Sequence, residues 1–276
     1  MRLIDSHCHL QADRFSTDVD EVLARARDAG VERILVPGWN AWSSTAALEL
    51  VGRHAWLDAA VGVHPHDAAR VGESDWQGLV ALAADPRVVA IGETGLDYDR
   101  VFSPIDDQLA NLRRNLALAI ETDKPVILHC RSRAGERDAQ DALLVEVRAM
   151  PGLRPVIHSF SGPLDYAEAM LGLGAVISIS GMAFRSGEEA TAAVAALTPT
   201  DRLLVETDSP FLSPPGGPRG RNEPAAVAIM ARWVAERRSL DLIDSDALDG
   251  FGDGLVAAYD RVFSRSRGIL DDQGPA

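Results

Sequence analysis

Two histidines separated by one residue stand near the start of the chain, where DSHCHL places His7 and His9 after the apolar pair Leu3 and Ile4. Side chains two positions apart on a strand point the same way, so both imidazoles can reach one point while Cys8 faces away. Imidazole is a common ligand of zinc and similar divalent ions. The spacing therefore predicts a two-pronged metal clamp at the end of a strand.

Further polar side chains follow short apolar runs along the chain. They are His64 in GVHPH, Glu93 in AIGETGLDY, His129 in VILHCR, His158 in VIHSFSG and Asp208 in LLVETDSP. Together with His66, the second histidine of GVHPH, six of the seven histidines fall at such positions, and His54 is the exception. Imidazoles and carboxylates without paired cysteines favour zinc, manganese or a comparable ion.

The number of candidate ligands indicates more than one ion. A catalytic zinc ordinarily takes three protein ligands and a water. Two ions about 3.5–4 Å apart would use five or six ligands, and would stabilise both the attacking and the leaving oxygen of a phosphoester. The residues by themselves therefore indicate metal-assisted hydrolysis.

The elements that must position these side chains alternate. Eight apolar runs, suited to strands buried on both faces, are Leu3–Ile4, Ile34–Val36, Ala59–Val63, Val88–Ile91, Val126–Leu128, Val156–Ile157, Val176–Ile179 and Leu203–Val205. Stretches of helical period lie between them, beginning for example at Asp18, Gln108, Asp165 and Glu223. The pattern predicts an α/β fold, a (β/α)₈ TIM barrel, whose active site lies at the C-terminal ends of the strands. An open doubly wound sheet is the competitor, but no G-x-G-x-x-G follows the first run.

Length and composition are consistent with this fold. The 276 residues suit one barrel of about 250 residues. We expect a single domain over residues 1–267 and a frayed tail over residues 268–276. No targeting or membrane-length segment is evident, and two cysteines, Cys8 and Cys130, suit reduced thiols, so the prediction is a cytoplasmic protein without a membrane partner. The sequence makes no prediction of oligomeric state.

The charge balance restricts the partners. With 41 acidic and 27 basic residues the net charge is −14, which argues against a broad nucleic-acid-coating surface. Binding of a few phosphates by a local group of basic side chains is compatible with this net charge. The loop RSRAGERD after the fifth run carries Arg131, Arg133 and Arg137, which predicts a local basic rim that could contact a phosphate backbone.

Six motifs in order carry a resemblance to a known family. DSHCHL, GVHPH, IGETGLDY, PVILHCR, HSFSG, and ETDSPFLSP followed by RNEPA resemble the TatD family of metal-dependent deoxyribonucleases, one of the amidohydrolase-like barrels. The resemblance implies a DNase, in several members a 3′→5′ exonuclease on single strands, with two divalent ions (zinc, manganese or magnesium) and DNA as its partner. The match runs from Asp5 to about Pro224.

The resemblance also implies roles for individual residues. His7 and His9 hold one ion beside Asp208, and Glu93 bridges to a second ion that His129 and His158 complete. Asp208 and Glu93 are the catalytic candidates, with Asp208 taking the proton from the attacking water. His64 faces the substrate phosphate. Arg131 is also a candidate substrate contact, but this prediction comes from the basic rim and not from the resemblance, because the family commonly has an acidic residue after HCR. Strand alternation adds Asp5, which shares a face with His7, and Glu206, which shares a face with Asp208, as partners that orient the metal ligands.

Other interpretations stay open at this point. The same barrel and metals could hydrolyse a small ester, lactone, amide or phosphoester, which the acidic net charge favours modestly. A metal-binding scaffold without catalysis is a third hypothesis. Trp39 and Trp42, in the loop after the second run, could stack on bases or belong to the core. Arg219 and Arg221, in PPGGPRGRNEP, could lie over the mouth of the barrel or be solvated loop charges.

Overall fold

The computed structural model describes residues 1–264. Eight parallel strands form one sheet in chain order, β1 to β8. The strands are Leu3–Asp5, Val31–Pro37, Leu57–Val61, Val88–Asp97, Val126–Arg131, Pro155–Ile157, Val176–Ile179 and Leu203–Val205. The first strand meets the last, because the Ser6 amide donates to the carbonyl oxygen of Val205 at 3.1 Å and Cys8 forms a parallel bridge with Ser209. The predicted TIM barrel is confirmed.

The helices surround this sheet. Between residues 1 and 264 they are α1 to α9, at Val19–Asp28, Ala41–Arg53, Glu73–Ala83, Ile105–Glu121, Asp138–Ala149, Leu164–Gly172, Ala190–Leu197, Val227–Arg237 and Ser245–Phe263. Each turns an apolar face towards the strands, and the strand residues are almost all buried. None of the helices in this range is long and apolar enough to cross a membrane.

Helix α9 packs at the N-terminal end of the barrel, opposite the predicted site. The amino group of Met1 lies 2.7 Å from Asp249, and a side chain at Gly252 would meet the carbonyl oxygen of Arg2 at 2.5 Å. The hydroxyl of Tyr259 donates to buried Asp58 on β3 at 3.0 Å. These contacts tie the end of the described chain to its beginning. The predicted boundary at residue 267 and the predicted frayed tail lie outside the described residues.

Two strands extend further than the apolar runs predicted. Strand β4 continues past Ile91 to Asp97, and β5 continues to Arg131, so Glu93 and His129 lie within strands rather than after them. The reason is that inward positions at this end face the site instead of the core and therefore carry polar side chains. Gly95 allows close pairing of the two strands, since a Cβ atom there would lie 1.9 Å from the carbonyl oxygen of His129.

Helix α4 also begins earlier than predicted, at Ile105 instead of Gln108. Pro104 precedes its first turn, and Asp106 and Asp107 supply the acidic residues that stabilise a helix N-terminus. Gln108 is buried and holds the end of β4, because its side-chain oxygen accepts from the Asp97 amide at 2.8 Å.

Candidate metal centre

Four side chains from three strand ends converge on one point. The Nε2 atoms of His7 and His9 lie 3.2 Å apart, and Oδ1 of Asp208 lies 3.8 Å and 3.5 Å from them. Oε2 of Glu93 lies 3.2 Å from the His7 nitrogen and 3.5 Å from the His9 nitrogen. Three of these side chains are buried, and Asp208 is 14% exposed towards the cavity.

The other oxygen of Glu93 faces a second group. Oε1 lies 2.9 Å from Nε2 of His158, 3.1 Å from Nδ1 of His129 and 3.2 Å from Nε2 of His64. The two nearest nitrogens, of His129 and His158, are 3.3 Å from each other. Glu93 therefore stands between two groups of donor atoms, with one carboxylate oxygen directed at each.

These spacings suit divalent ions. Ligands about 2.1 Å from a tetrahedral ion lie about 3.4 Å from one another, which is close to the distances within both groups. The Nδ1 atoms of His7 and His9 are buried and have no hydrogen-bond partner within residues 1–264, so their rings make polar contacts at the convergent Nε2 atoms. The residues present therefore fit a divalent metal centre.

Burial and charge determine the protonation of the central carboxylate. Burial by itself would raise the pKa of Glu93, but the surrounding imidazoles, His158 foremost, hold that pKa well below its ordinary value. Burial would likewise raise the pKa of Asp208, but the hydrogen bond from His9 and the charge of His7 lower it. Both side chains are therefore carboxylates at neutral pH, as metal ligands must be.

Glu206 orients His158 from behind. Its Oε1 atom lies 3.1 Å from Nδ1 of His158 and accepts from the Ser159 amide at 2.6 Å. An Nδ1–H that donates to this buried carboxylate keeps Nε2 directed at Glu93 and the other donor atoms, and release of the Nε2 proton would free its lone pair for an ion. The contact is one that an orienting partner of His158 would make, and the role of Glu206 stays a prediction.

Asp5 acts on the backbone and does not contact the His7 ring. Its carboxylate accepts from the Thr207 amide at 2.9 Å, from the Thr207 hydroxyl at 2.6 Å and from the His7 amide at 3.3 Å. It thus joins the end of β1 to the segment after β8, which brings His7 beside Asp208. Any orienting effect of Asp5 on the imidazole is transmitted through the main chain.

His64 differs from the other histidines of the site because its Nδ1 atom accepts a hydrogen bond from a backbone amide. Its Nδ1 accepts from the His66 amide at 3.1 Å, and burial lowers the pKa of His64 to about 4. The neutral ring therefore carries its proton on Nε2, the atom that faces Glu93. A protonated Nε2 is a hydrogen-bond donor, so this contact favours the predicted role of His64 towards a phosphate oxygen over a role as metal ligand.

Asp97 and His66 contact the site although the sequence interpretation gave them no role. Oδ2 of Asp97 lies 2.6 Å from Nε2 of His66 and 3.5 Å from Nε2 of His129, while Oδ1 accepts from the amides of Asp99 and Arg100. Asp97 is thus a buried carboxylate behind His129. Its position four residues after Glu93, on the same face of an extended β4, was the signal that could have identified it.

The candidate metal centre lines a cavity of about 830 Å³ whose wall also includes Arg14, Arg100, Arg131 and Arg185. Nε of Arg131 lies 2.9 Å from Asp99, and Arg14 donates to the carbonyl oxygens of Pro210 and Gly220. Arg100 and Arg185 are exposed, and within residues 1–264 their guanidinium groups form no hydrogen bond or ion pair.

The other arginines predicted for a basic rim are placed differently. Arg137 pairs with Asp141 and Asp165 on the outer helices, and Arg133 does not line the cavity. Arg221 pairs with Asp18 and Glu223, so its charge is used within the protein. Cys8 and Cys130 are buried free thiols, and Cys130 touches the cavity wall.

Comparison with known proteins gives a consistent result. Residues 4–247 match the family model described as TatD related DNase. The chain is 35% identical over 241 residues to the uncharacterized metal-dependent hydrolase YabD of Bacillus subtilis, covering 86% of this chain and 92% of that protein. It is 38% identical over 248 residues to the 3′-5′ ssDNA/RNA exonuclease TatD of Klebsiella pneumoniae, covering 85% and 91%.

A solved structure agrees with the sequence relatives. The crystal structure of YJJV, a TatD homolog from Escherichia coli K12, superimposes with a TM-score of 0.84 at 31% identity. The superposition covers 95% of this chain and 98% of that chain. The shared fold therefore extends over both chains almost completely.

Proposed function

The chain belongs to the TatD-related DNase family, and from that premise we propose that it is a divalent-metal-dependent nuclease that removes nucleotides from the 3′ end of single-stranded DNA. The relative from Klebsiella pneumoniae is named as a 3′-5′ exonuclease of single-stranded DNA and RNA. The fold and the position of the donor groups at the C-terminal ends of the strands are those expected of a barrel hydrolase.

The observation that carries the proposal is the position of Glu93 between two donor groups. His7, His9 and Asp208 would hold one ion with one oxygen of Glu93, and His129 and His158 would hold a second with the other oxygen. Two such ions, zinc, manganese or magnesium, would polarise the phosphodiester and stabilise the charge on the attacking and leaving oxygens.

The protein's own residues contribute the remaining steps. Asp208 is a carboxylate with its side chain at the cavity, so it can accept the proton of the attacking water. His64 presents an Nε2–H and can donate to a non-bridging phosphate oxygen. Glu206 holds His158 in orientation through Nδ1, and the Asp97 carboxylate lies 3.5 Å from Nε2 of His129, so negative charge stands behind both rings.

The cavity wall supplies the contacts for the remainder of the strand. Arg100 and Arg185 are free to contact phosphates. Arg131 can also contact a phosphate while its ion pair with Asp99 keeps the guanidinium group in place. Two exposed arginines in the cavity wall, on a chain with a net charge of −14, suit contacts with a few phosphates near a strand end. They do not suit wrapping of a long duplex.

The alternative, hydrolysis of a small ester, lactone, amide or phosphoester, uses the same metals and differs in the substrate. The relatives named as nucleases favour nucleic acid. The discriminating comparison is a panel of small esters against oligonucleotides under identical metal conditions.

The test of the function is the digestion of end-labelled single-stranded DNA by purified protein with Mg²⁺ or Mn²⁺. We expect stepwise shortening from the 3′ end, which stops when a chelator is added and is lost in Asp208→Asn. Asp75→Asn, an exposed acid on α3, is the matched control and keeps full activity. Metal-loaded wild-type protein that cleaves no strand would overturn the proposal and leave the small-ester alternative.

A further inference from the structure

Exposed aromatic side chains are concentrated at one place on the described surface. Within residues 1–264 the large aromatic side chains that are exposed are Trp42, Phe102 and Phe211, at 58%, 61% and 52%. Trp42 and Phe211 line the cavity, and Phe102 contacts the ring of His66, which lines it as well, at 4.7 Å. Single exposed apolar residues are ordinary, but a cluster at the mouth of one cavity indicates a binding surface.

Two of these aromatics are connected to the metal centre through His9. Strand β1 lies between β8 and β2 in the barrel, so the loops after β2 and β8 flank the end of β1. Trp39, after β2, meets the His9 ring edge to face at 5.3 Å, and Phe211, after β8, meets it at 6.1 Å. On the side of the β2 loop, the ring contacts continue to Trp42, whose ring centroid lies 6.0 Å from that of Trp39.

The backbone beneath these rings is well anchored. The Phe211 amide donates to the Asp208 carbonyl oxygen at 2.9 Å, and the carbonyl oxygen of neighbouring Pro210 accepts from Arg14. Trp42 stands on the first turn of α2, which Asn40 caps by accepting from the Ser43 amide at 3.0 Å. The protein therefore holds apolar ring faces towards water in defined positions, where they can bind a flat apolar ligand without first becoming ordered.

On the basis of the nuclease function above, we propose that Trp39, Trp42 and Phe211, the aromatic rim, form a stacking site for unpaired nucleobases beside the scissile phosphate. Every base has a π-face, so stacking on aromatic side chains binds a strand with little sequence preference. In a duplex the base faces are already covered by their neighbours, whereas the bases of a single strand can turn onto a protein ring. The aromatic rim thus accounts for recognition of single strands by a chain of net negative charge.

The test compares a short thymidine strand with a strand of the same length whose 3′-terminal nucleotides are abasic. Binding is measured by fluorescence anisotropy with Mn²⁺ present, in the Asp208→Asn background so that no cleavage occurs during titration. The expected preference for the base-containing strand is about 5- to 150-fold for each stacked base, since stacking is worth about 1–3 kcal/mol per base. Phe211→Ala and Trp42→Ala lose most of this preference, and Phe211→Tyr, which keeps the ring, retains it.

Val145→Ala is the matched control, because it shortens an exposed apolar side chain on outer helix α5 and leaves the preference unchanged. Equal weakening of base-containing and abasic strands in Phe211→Ala would overturn the inference, as would an unchanged preference in both alanine variants. If wild type cleaves single strands while the variants keep the wild-type preference, the stacking inference fails and the proposed function stands. If wild type neither binds nor cleaves any strand, the proposed function fails and the stacking inference fails with it.

Discussion

Nδ1 of His158 lies 3.1 Å from Oε1 of Glu206, and both atoms are buried. Burial opposes a charge on the ring, but Glu93 and Glu206 together raise the pKa of His158 well above its ordinary value. The carboxylate behind the ring therefore accepts from Nδ1 and keeps Nε2 directed at the donor groups, an arrangement that would make Nε2 a stronger ligand for an ion.

Glu206→Ala removes the acceptor for Nδ1 of His158 and leaves the buried Ser159 amide without its partner. We expect the affinity for Mn²⁺ to fall about 10- to 100-fold, as is usual when a group that orients a metal ligand is lost. Isothermal titration with Mn²⁺ measures this. Glu168→Ala, at an exposed position on α6, is the control, and equal affinities in both variants would contradict the role of Glu206.

Glu93→Ala removes the carboxylate that faces both donor groups. The expected result is a loss of bound metal from two ions per chain to one or fewer, together with loss of strand cleavage. Elemental analysis after gel filtration measures the metal content independently of activity. Glu49→Ala, an exposed residue on α2, keeps both properties, whereas full activity in Glu93→Ala would exclude a bridging role.

His64→Asn separates a substrate contact from a metal ligand. The asparagine oxygen can replace Nδ1 as the acceptor for the His66 amide, while the Nε2–H is lost. We expect unchanged metal content and a kcat lower by about 10²- to 10³-fold, the usual cost of one lost donor to a developing oxyanion. His54→Asn, outside the cavity, is the control. A loss of one ion in His64→Asn would instead identify His64 as a ligand.

Tyr259→Phe tests the contact between α9 and the barrel. Loss of the hydrogen bond to Asp58 is expected to lower the free energy of unfolding by about 1–3 kcal/mol, measured by urea denaturation. Burial, and then the charge of Asp58, raise the pKa of Tyr259 well above its ordinary value of 10.0.

The pKa shift also gives Tyr259→Phe a pH dependence. Above pH 10 the unfolded tyrosine ionises while the folded one stays neutral, so the free energy of the unfolded state falls relative to that of the folded state and stability decreases as the pH rises. Because the variant lacks this titration, its stability declines less steeply between pH 9 and about 11. Parallel curves for the two proteins would show that Tyr259 titrates as freely when folded as when unfolded.

Much of the architecture could be predicted from the sequence. Strands buried on both faces are continuously apolar, so runs such as Val126–Leu128 and Val176–Ile179 predicted where strands β5 and β7 lie. The alternation of eight such runs with helical stretches left few folds other than the barrel. The C-terminal ends of the strands were predicted less accurately. Glu93 and Asp97 lie on the part of β4 that faces the site, and polar residues there give no apolar pattern from which a strand could be predicted.

The local pattern of the sequence determined which side chains could meet. Residues two apart on a strand share a face, and the C-terminal ends of parallel strands share one rim, so the convergence of His7, His9, Glu93 and Asp208 followed from chain order and spacing. Their roles in metal binding and catalysis stay predictions that the variants above address.

The tertiary structure alone decided which atoms face one another. The partner of each ring nitrogen depends on side chains distant in sequence, as with His158 and Glu206, and therefore so does the tautomer. The same holds for charge and exposure: Arg131 is paired with Asp99, while the rings of Trp42 and Phe211 stay in water. Such properties depend on how separate loops pack against each other, and no local sequence pattern encodes that packing.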